Sequence, residues 1–240
     1  MINFTSDTDS FTLDGISSDT LGIFVDILPP MPMAEQQYTD SNTGADEQLT
    51  TPDDVYNNVV YQIPFYVFLP ENYNDSAIKA FCKNKSTLTL SRYPDYYFKI
   101  RKINLSAVDS IGQGKRIDYV LTLTLAPFRY STDNDWISLT GGDDVYNNYT
   151  RYSKPTFEIV MRGNMRLTVN GSDFTINAPE TDTTIIVDSE RHITYAGTTL
   201  LTGKTNGKYP LFAVGRNQVS YWSITGLITS VKYKGNWRDY

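Results

Sequence analysis

Apolar and polar side chains alternate with a period of two along much of this 240-residue chain. That period builds strands with one buried face and excludes an all-helical fold. In VLTLTL, 120–125, Leu121, Leu123 and Leu125 share one face and threonines take the other. In MRLTVNGSDFTI, 165–176, Met165, Leu167 and Val169 point one way. Asn170-Gly171 carries the type I′ hairpin signal, and Phe174 and Ile176 return on the next strand. TTIIVDSERHITYAG, 183–197, reads as strand, tight turn at Asp188-Ser189, strand, with two further strands expected near 217–224 and 227–234. Short strands at this spacing, with frequent turns, predict a β-sandwich over 153–240 and a mainly β protein.

One helix is expected. Asn74-Asp75-Ser76 is a capping cluster ahead of AIKAFCKN, where Ile78, Phe81 and Cys82 share a face. Cys82 is therefore read as a small core residue rather than a nucleophile. Two segments lack periodicity. Residues 29–54, with four prolines, are too long for an ordinary connector and are read as functional or disordered. Residues 131–152, with Gly141-Gly142 near the middle, are read as the linker between a first domain, 1–130, and the sandwich, 153–240. The hexapeptide DDVYNN occurs at 53–58 and again at 143–148, each time where an irregular segment is expected to enter a strand.

Charge is distributed unevenly. Residues 1–78 contain thirteen acids and no Lys or Arg; residues 79–130 carry ten Lys or Arg against three acids; the remainder carries eleven of each. Either the acidic and basic parts pair inside one fold, or they complement one another head to tail between subunits, which closes a ring when the rotation permits. The second is favoured. A net charge of −6 is the wrong sign for a protein that grips nucleic acid.

Catalytic and ligand motifs fail on inspection. GTTLLTGKT, 197–205, has five residues between Gly197 and Gly203 where a phosphate loop needs four, so a hairpin loop is expected. Gly112-Gln113-Gly114 reads as a turn. DSNTGADEQLTT, 40–51, lacks the glycine and glutamate of a calcium loop. One Cys and one His exclude a Cys-based or multi-histidine metal site, and His192 reads as a surface strand residue. No catalytic residue, cofactor or metal is assigned. Tyr93, Tyr96, Tyr97 and Phe98 lie among Arg92, Lys99, Arg101 and Lys102. That pattern suits either nucleic acid or a strand packed in a core or interface, and the interface is favoured.

Several stretches, in this order, resemble the distal tail protein (Dit) family of phages with long non-contractile tails. They are FTLDGISSDTLGIFVDILPP at 11–30, YPDYYFKIRKI at 93–103, YVLTLTLAPFRY at 119–130, KPTFEIVMRGNMRLTVNG at 154–171, IIVDSERHITY at 185–195 and YPLFAVGRNQVSYW at 209–222. The last departs from the family pattern, with Val214 where proline is usual before Gly215-Arg216-Asn217. The resemblance implies a ring-forming first domain of six copies with an extended arm, here about 31–54. It implies a galectin-like sandwich beyond, with the C-terminal KGNWRDY returning to the first domain. It implies a virion tail-tip protein, made in the host cytoplasm, that contacts its own copies, the major tail tube protein, the tail-associated hub or lysin protein and receptor-binding proteins. DNA would meet it only in transit and no membrane is crossed; an acidic channel wall would keep that DNA from sticking. Subunit-interface candidates are Pro29, Pro30, Met31, Met33, Tyr38, Asp40, Asp46, Glu47, Arg92, Arg101 and Lys102. Two other readings stand beside it. One is a carbohydrate-binding sandwich, for which Trp222, Asn217 and Arg216 lie close in sequence. The other is a cell-wall glycosidase, for which no acid is singled out by its context.

Overall fold

The computed structural model describes residues 9–42, 48–68, 76–111, 116–177 and 180–240. The capping pair Asn74-Asp75 and the Gly112–Gly114 turn lie outside them. The chain divides into two compact units, 1–130 with Tyr240, and 131–239. The protein is mainly β, as the alternation requires.

The first unit contains β1 (Phe11–Leu13), β2 (Ile16–Ser17), β3 (Ile23–Phe24), β4 (Gln36–Asn42), β5 (Gln48–Tyr56), β6 (Val59–Phe68), α1 (Ser76–Phe81), β7 (Thr87–Leu90), β8 (Tyr96–Ile111) and β9 (Arg116–Ser131). Its main sheet runs in the order β2-β1-β7-β8-β9-β6-β3. β6 and β9 are antiparallel, with Tyr61 opposite Leu123, Ile63 opposite Leu121 and Phe65 opposite Tyr119. All six are buried, and cross-strand pairs of this kind hold a sheet in register. α1 adds Ile78, Phe81 and Cys82 to the same cluster. Burial raises the Cys82 thiol to about 12, so it stays protonated near neutral pH. Asp14 and Gly15, both at positive φ, turn β1 into β2. The Asp14 carboxylate then accepts hydrogen bonds from the backbone N–H and hydroxyl of Thr87 at 2.8 and 2.9 Å, fastening the turn to the start of β7.

Residues 29–54 differ from the expected irregular segment, because β4 and β5 pair antiparallel as a separate two-stranded sheet. The sequence gives no period there because Gln, Thr, Asp and Ser occupy both alternate sets; the main-chain ladder, not an apolar face, defines these strands.

The second unit contains β10 (Ile137–Leu139), β11 (Asp143–Asn147), β12 (Thr156–Val169), β13 (Ser172–Asn177), β14 (Thr183–Asp188), β15 (Ile193–Ala196), β16 (Thr199–Leu200), β17 (Thr205–Gly207) and β18 (Gly215–Lys234). The stretch expected as a linker thus contributes two strands, β10 and β11, both paired to β18. The second DDVYNN copy is β11 itself and the first ends β5, so both are strand rather than strand entry. The asparagine in fifth place closes each. Asn57 accepts from Gln37 Nε2 at 2.7 Å, and buried Asn147 donates to the Arg151 carbonyl at 2.8 Å.

β12 pairs with β14 along its first half and with β13 along its second, while β18 runs beside its whole length. The strands expected at 217–224 and 227–234 are therefore one strand. Two register shifts, at Val160/Met161 and Asn164/Met165, bracket the point where Gly163 faces Gly226. Both glycines have positive φ, and a β-carbon on either would strike the backbone carbonyl of Arg162 or Thr225. Bulges with glycine bend a strand pair sharply. Here they fold one sheet into two leaves whose inner side chains, Phe157, Ile159, Leu167, Phe174 and Phe212 among them, form one core. The Asn170-Gly171 turn is as expected, with both residues at positive φ and Leu167 opposite Phe174. β14 and β15 are joined by four residues, 189–192, rather than a two-residue turn. His192 lies in that turn, at φ 54, rather than in a strand. Gly197 turns β15 into β16 as a hairpin, as expected for the failed phosphate loop.

Gly226→Ala is expected to lower stability by at least about 2 kcal/mol, whereas Gly141→Ala, in open space, should stay within about 0.5 kcal/mol; urea titrations of both variants check this. Cys82 is expected to resist iodoacetamide in the native protein at pH 8 and to react fully in denaturant, read by mass spectrometry.

Candidate functional site

The β4–β5 hairpin pairs with no other strand among the described residues. Its base is well anchored. Asn57 N–H donates to the Glu35 carbonyl at 2.9 Å. The Tyr56 ring meets Phe128 at 5.2 Å and Tyr240 at 5.9 Å, with the two tyrosine hydroxyls 3.1 Å apart. Beside this base lies a cavity of about 210 Å³ lined by Met31, Met33, Tyr93, Pro127, Arg129 and Tyr240. Met33 is 77% exposed and shares a surface hollow with exposed Val60; Tyr38 and Val55 are exposed on the hairpin strands. Exposed apolar side chains of this kind suit a protein contact.

The candidate interface residues divide between this surface and the fold. Pro30, Met33 and Tyr38 are exposed, and Pro29 and Met31 are half-buried. The Pro29 carbonyl accepts the Tyr61 hydroxyl at 2.8 Å, and burial lifts that phenol to about 12. Asp40 sits on β4 opposite Thr50. Asp46 and Glu47 lie outside the described residues. Arg92 is held in its own chain. Its Nε and Nη2 donate to the Asp9 carboxylate at 3.1 and 2.7 Å, and Asp9 also accepts the Leu28 N–H at 2.6 Å. Arg101 and Lys102 are exposed on β8 and form no ion pair among the described residues. The charge asymmetry is thus partly satisfied within the chain, at Arg92, and partly left over, at Arg101 and Lys102.

Of the basic residues in the aromatic–basic cluster, Arg92 and Lys99 are engaged within the chain, whereas Arg101 and Lys102 are exposed. Arg129 lies 4.3 Å from the Tyr96 centroid, Lys99 lies 3.9 Å from that of Tyr130, and Tyr97 stacks on Tyr130 at 5.5 Å. Cations seated on tyrosine faces are poorly placed for phosphate, which favours the packed-strand reading over nucleic acid. A second aromatic surface was not singled out in the sequence. Phe24, Tyr66 and Phe68 meet at 5.4–5.6 Å, with Arg116 3.8 Å from the Tyr66 centroid, and Phe24 and Phe68 are 40% and 57% exposed. The signal was the run VVYQIPFYVF, 59–68, apolar at both alternate sets and so apolar on both sheet faces.

In the second unit, the three residues considered for sugar binding do not share a face. Asn217 is fully buried; its amide donates to the Val145, Ala213 and Gly215 carbonyls, and its oxygen accepts from Ala213 N–H and Asn170. Arg216 and Trp222 point outward, in register with Tyr146 and Arg166. His192 stacks on Tyr209 at 5.2 Å.

No protein-family model matches the sequence, and no curated protein does. Solved structures do match. SPP1 Dit (gp 19.1), described as a paradigm of the hub adsorption apparatus in phages infecting Gram-positive bacteria, aligns with a TM-score of 0.70 at 11% identity, covering 96% of this chain and 98% of that one. A chain of the phage p2 baseplate, in its activated conformation with strontium, aligns with a TM-score of 0.55 at 9% identity, covering 95% and 96%. The corresponding calcium structure gives 0.55 at 8% identity, covering 94% and 97%. The fold of this chain is thus the fold of a phage tail hub protein along nearly its whole length.

Asp9 and Asp14 contribute to acid stability. Burial alone would raise their carboxyls, but hydrogen bonds outweigh it: Leu28 N–H and Arg92 at Asp9, Ser86 and Thr87 at Asp14. Both are held below the ordinary value of 3.8. Their contribution is therefore present above that value and is lost as pH falls through the lower native values. Asp9→Asn with Asp14→Asn is expected to destabilise the protein at neutral pH and to flatten the acid limb of its stability profile, measured by urea titration between pH 2 and 7.

Proposed function

We propose that this protein is a structural, non-catalytic component of a phage tail tip. It joins the tail tube to the tail-associated hub and the host-recognition apparatus as a ring of like subunits through which DNA passes. The observation that carries this reading is the likeness of fold to a hub protein along nearly the whole chain, both units included. Three features of the first unit support it. The β4–β5 hairpin finds no strand partner in its own chain among the described residues and is suited to reach a neighbouring copy as an arm. Met33, Tyr38, Val55 and Val60, on or next to its strands in sequence, are exposed. Residues 1–78 hold an acidic excess, and Arg101 and Lys102 are exposed with no ion pair among the described residues, so the pair is suited to receive acids from the next subunit. The number of copies, six, follows the family resemblance. The tube protein, the hub or lysin protein and receptor-binding proteins are its proposed partners, and the virion tail tip its location.

Negative-stain electron microscopy of the purified chain is expected to show six-fold rings. Arg101→Glu with Lys102→Glu is expected to disperse them into single particles without loss of thermal stability, since neither side chain is buried. Single particles of the unaltered chain at every ionic strength, with no ring on mixing with the tube protein, would overturn the ring reading.

A further inference from the structure

The outer face of one leaf of the second unit carries an arrangement that a scaffold has no use for. Cross-strand register puts Trp222 opposite Arg166 and Ser220 opposite Thr168, and puts Thr175 opposite Arg166 and Asp173 opposite Thr168 on the other side. Residues directly opposite one another share a face. Trp222 is 43% exposed, with the Arg166 guanidinium 5.1 Å from its centroid. Arg166 Nη1 pairs with Asp173 Oδ2 at 3.1 Å, and the Thr168 hydroxyl donates to Asp173 Oδ1 at 2.6 Å. The indole is thus oriented by an ion pair that is itself held by a hydroxyl.

The arrangement recurs on the same face. Tyr146, 57% exposed on β11, is in register with Arg216, which pairs with Asp144 at 2.9 Å. Arg216 and Trp222 stand six residues apart on a stretch of β18 without a register shift, so the two aromatic stations lie roughly 20 Å apart at about 3.3 Å per residue. Each station couples one exposed ring to one neutralised Arg–Asp pair.

The chemistry selects a ligand class. Both arginines are already paired, so neither is free to neutralise a phosphate or sulfate, and a polyanion finds no net charge here. The residues around Trp222 are polar: Ser220, and Thr168 and Thr175, whose hydroxyls donate to Asp173 and to the Asn206 carbonyl and keep lone pairs to accept, where the centre of a protein contact would be apolar. A neutral polyhydroxylated chain needs this combination: ring faces for its C–H surfaces, and paired donors and acceptors for its hydroxyls. Exposed Ile224 and Leu227 lie at the bend, beyond the regular register.

We propose that this face binds an extended neutral saccharide, with Trp222 and Tyr146 as stacking stations and the Arg166–Asp173 and Arg216–Asp144 pairs as hydroxyl ligands. The proposal goes beyond the scaffold reading and does not depend on ring formation.

The test is saturation-transfer NMR and intrinsic fluorescence on the full chain with maltohexaose, cellohexaose and chitohexaose, their disaccharides, and dextran sulfate as the anionic control. At least one neutral hexasaccharide is expected to bind and to outbind its disaccharide. Trp222→Ala is expected to weaken it about tenfold, and Tyr146→Ala to remove the advantage of length. Affinity is expected to hold within about twofold between low and high salt, since no counterion is released. Arg166→Lys keeps the charge and loses the planar fork; its expected loss of binding decides the matter should Trp222→Ala misfold. Failure of all three hexasaccharides, binding that survives Trp222→Ala with Tyr146→Ala, or binding of dextran sulfate alone with steep salt dependence would each overturn the proposal.

Discussion

Gly163 and Gly226 approach one another across the long β12–β18 strand pair, and the second unit takes its form from that approach. A β-carbon on either glycine would strike the facing backbone carbonyl, so only glycine fits both positions, and the flanking register shifts turn both strands together. The same nine strands then supply two leaves and one core, with β13 and β14 abutting on one edge of β12. The bend also divides the outer surface. Before it, β18 presents Arg216 and Trp222 in register with Tyr146 and Arg166; at it, Ile224 and Leu227 stand exposed.

The first unit is organised by a different constraint, the satisfaction of strand edges. Backbone N–H and C=O groups need partners, and an open edge invites another chain. β6 is paired along one side by β9 and touched on the other by only two residues of β3. It carries Pro64, which lacks a donor and blunts an edge strand. The β4–β5 hairpin also carries a proline, Pro52, yet it pairs with no further strand among the described residues. Apolar surface follows the same division, with Met33, Tyr38, Val55 and Val60 on or next to the hairpin strands in sequence and Phe24, Tyr66 and Phe68 at the β3–β6 corner.

The surroundings of the interface candidates were legible only in part. Met33, Tyr38, Arg101 and Lys102 are exposed, and the last two form no ion pair among the described residues. Arg92 was indistinguishable from them by composition, yet its guanidinium belongs to Asp9, a residue 83 positions earlier. Asn217 looked like a companion of Trp222 five residues away, but alternation sends it into the core, where every polar atom of its amide is used. The hexapeptide repeat made structural sense only once Asn57 and Asn147 were seen to close their strands.

The sequence by itself determined the elements whose signals are local. The leucine alternation at 121–125 set the buried face of β9, and Asn170-Gly171 set a hairpin and its register. The spacing of Ile78, Phe81 and Cys82 set the face of α1. These depend on neighbours within a few residues, where periodicity and turn geometry act directly. Tertiary structure decided what polar residues do at a distance. It made strands of 36–42 and 48–56 and of 137–139 and 143–147, joined 215–234 into one bent strand, gave Arg92 to Asp9, and brought Trp222 beside the Arg166–Asp173 pair. A polar strand carries no apolar period, and an ion pair carries no sequence spacing; both exist only once the backbone ladder has placed distant residues side by side.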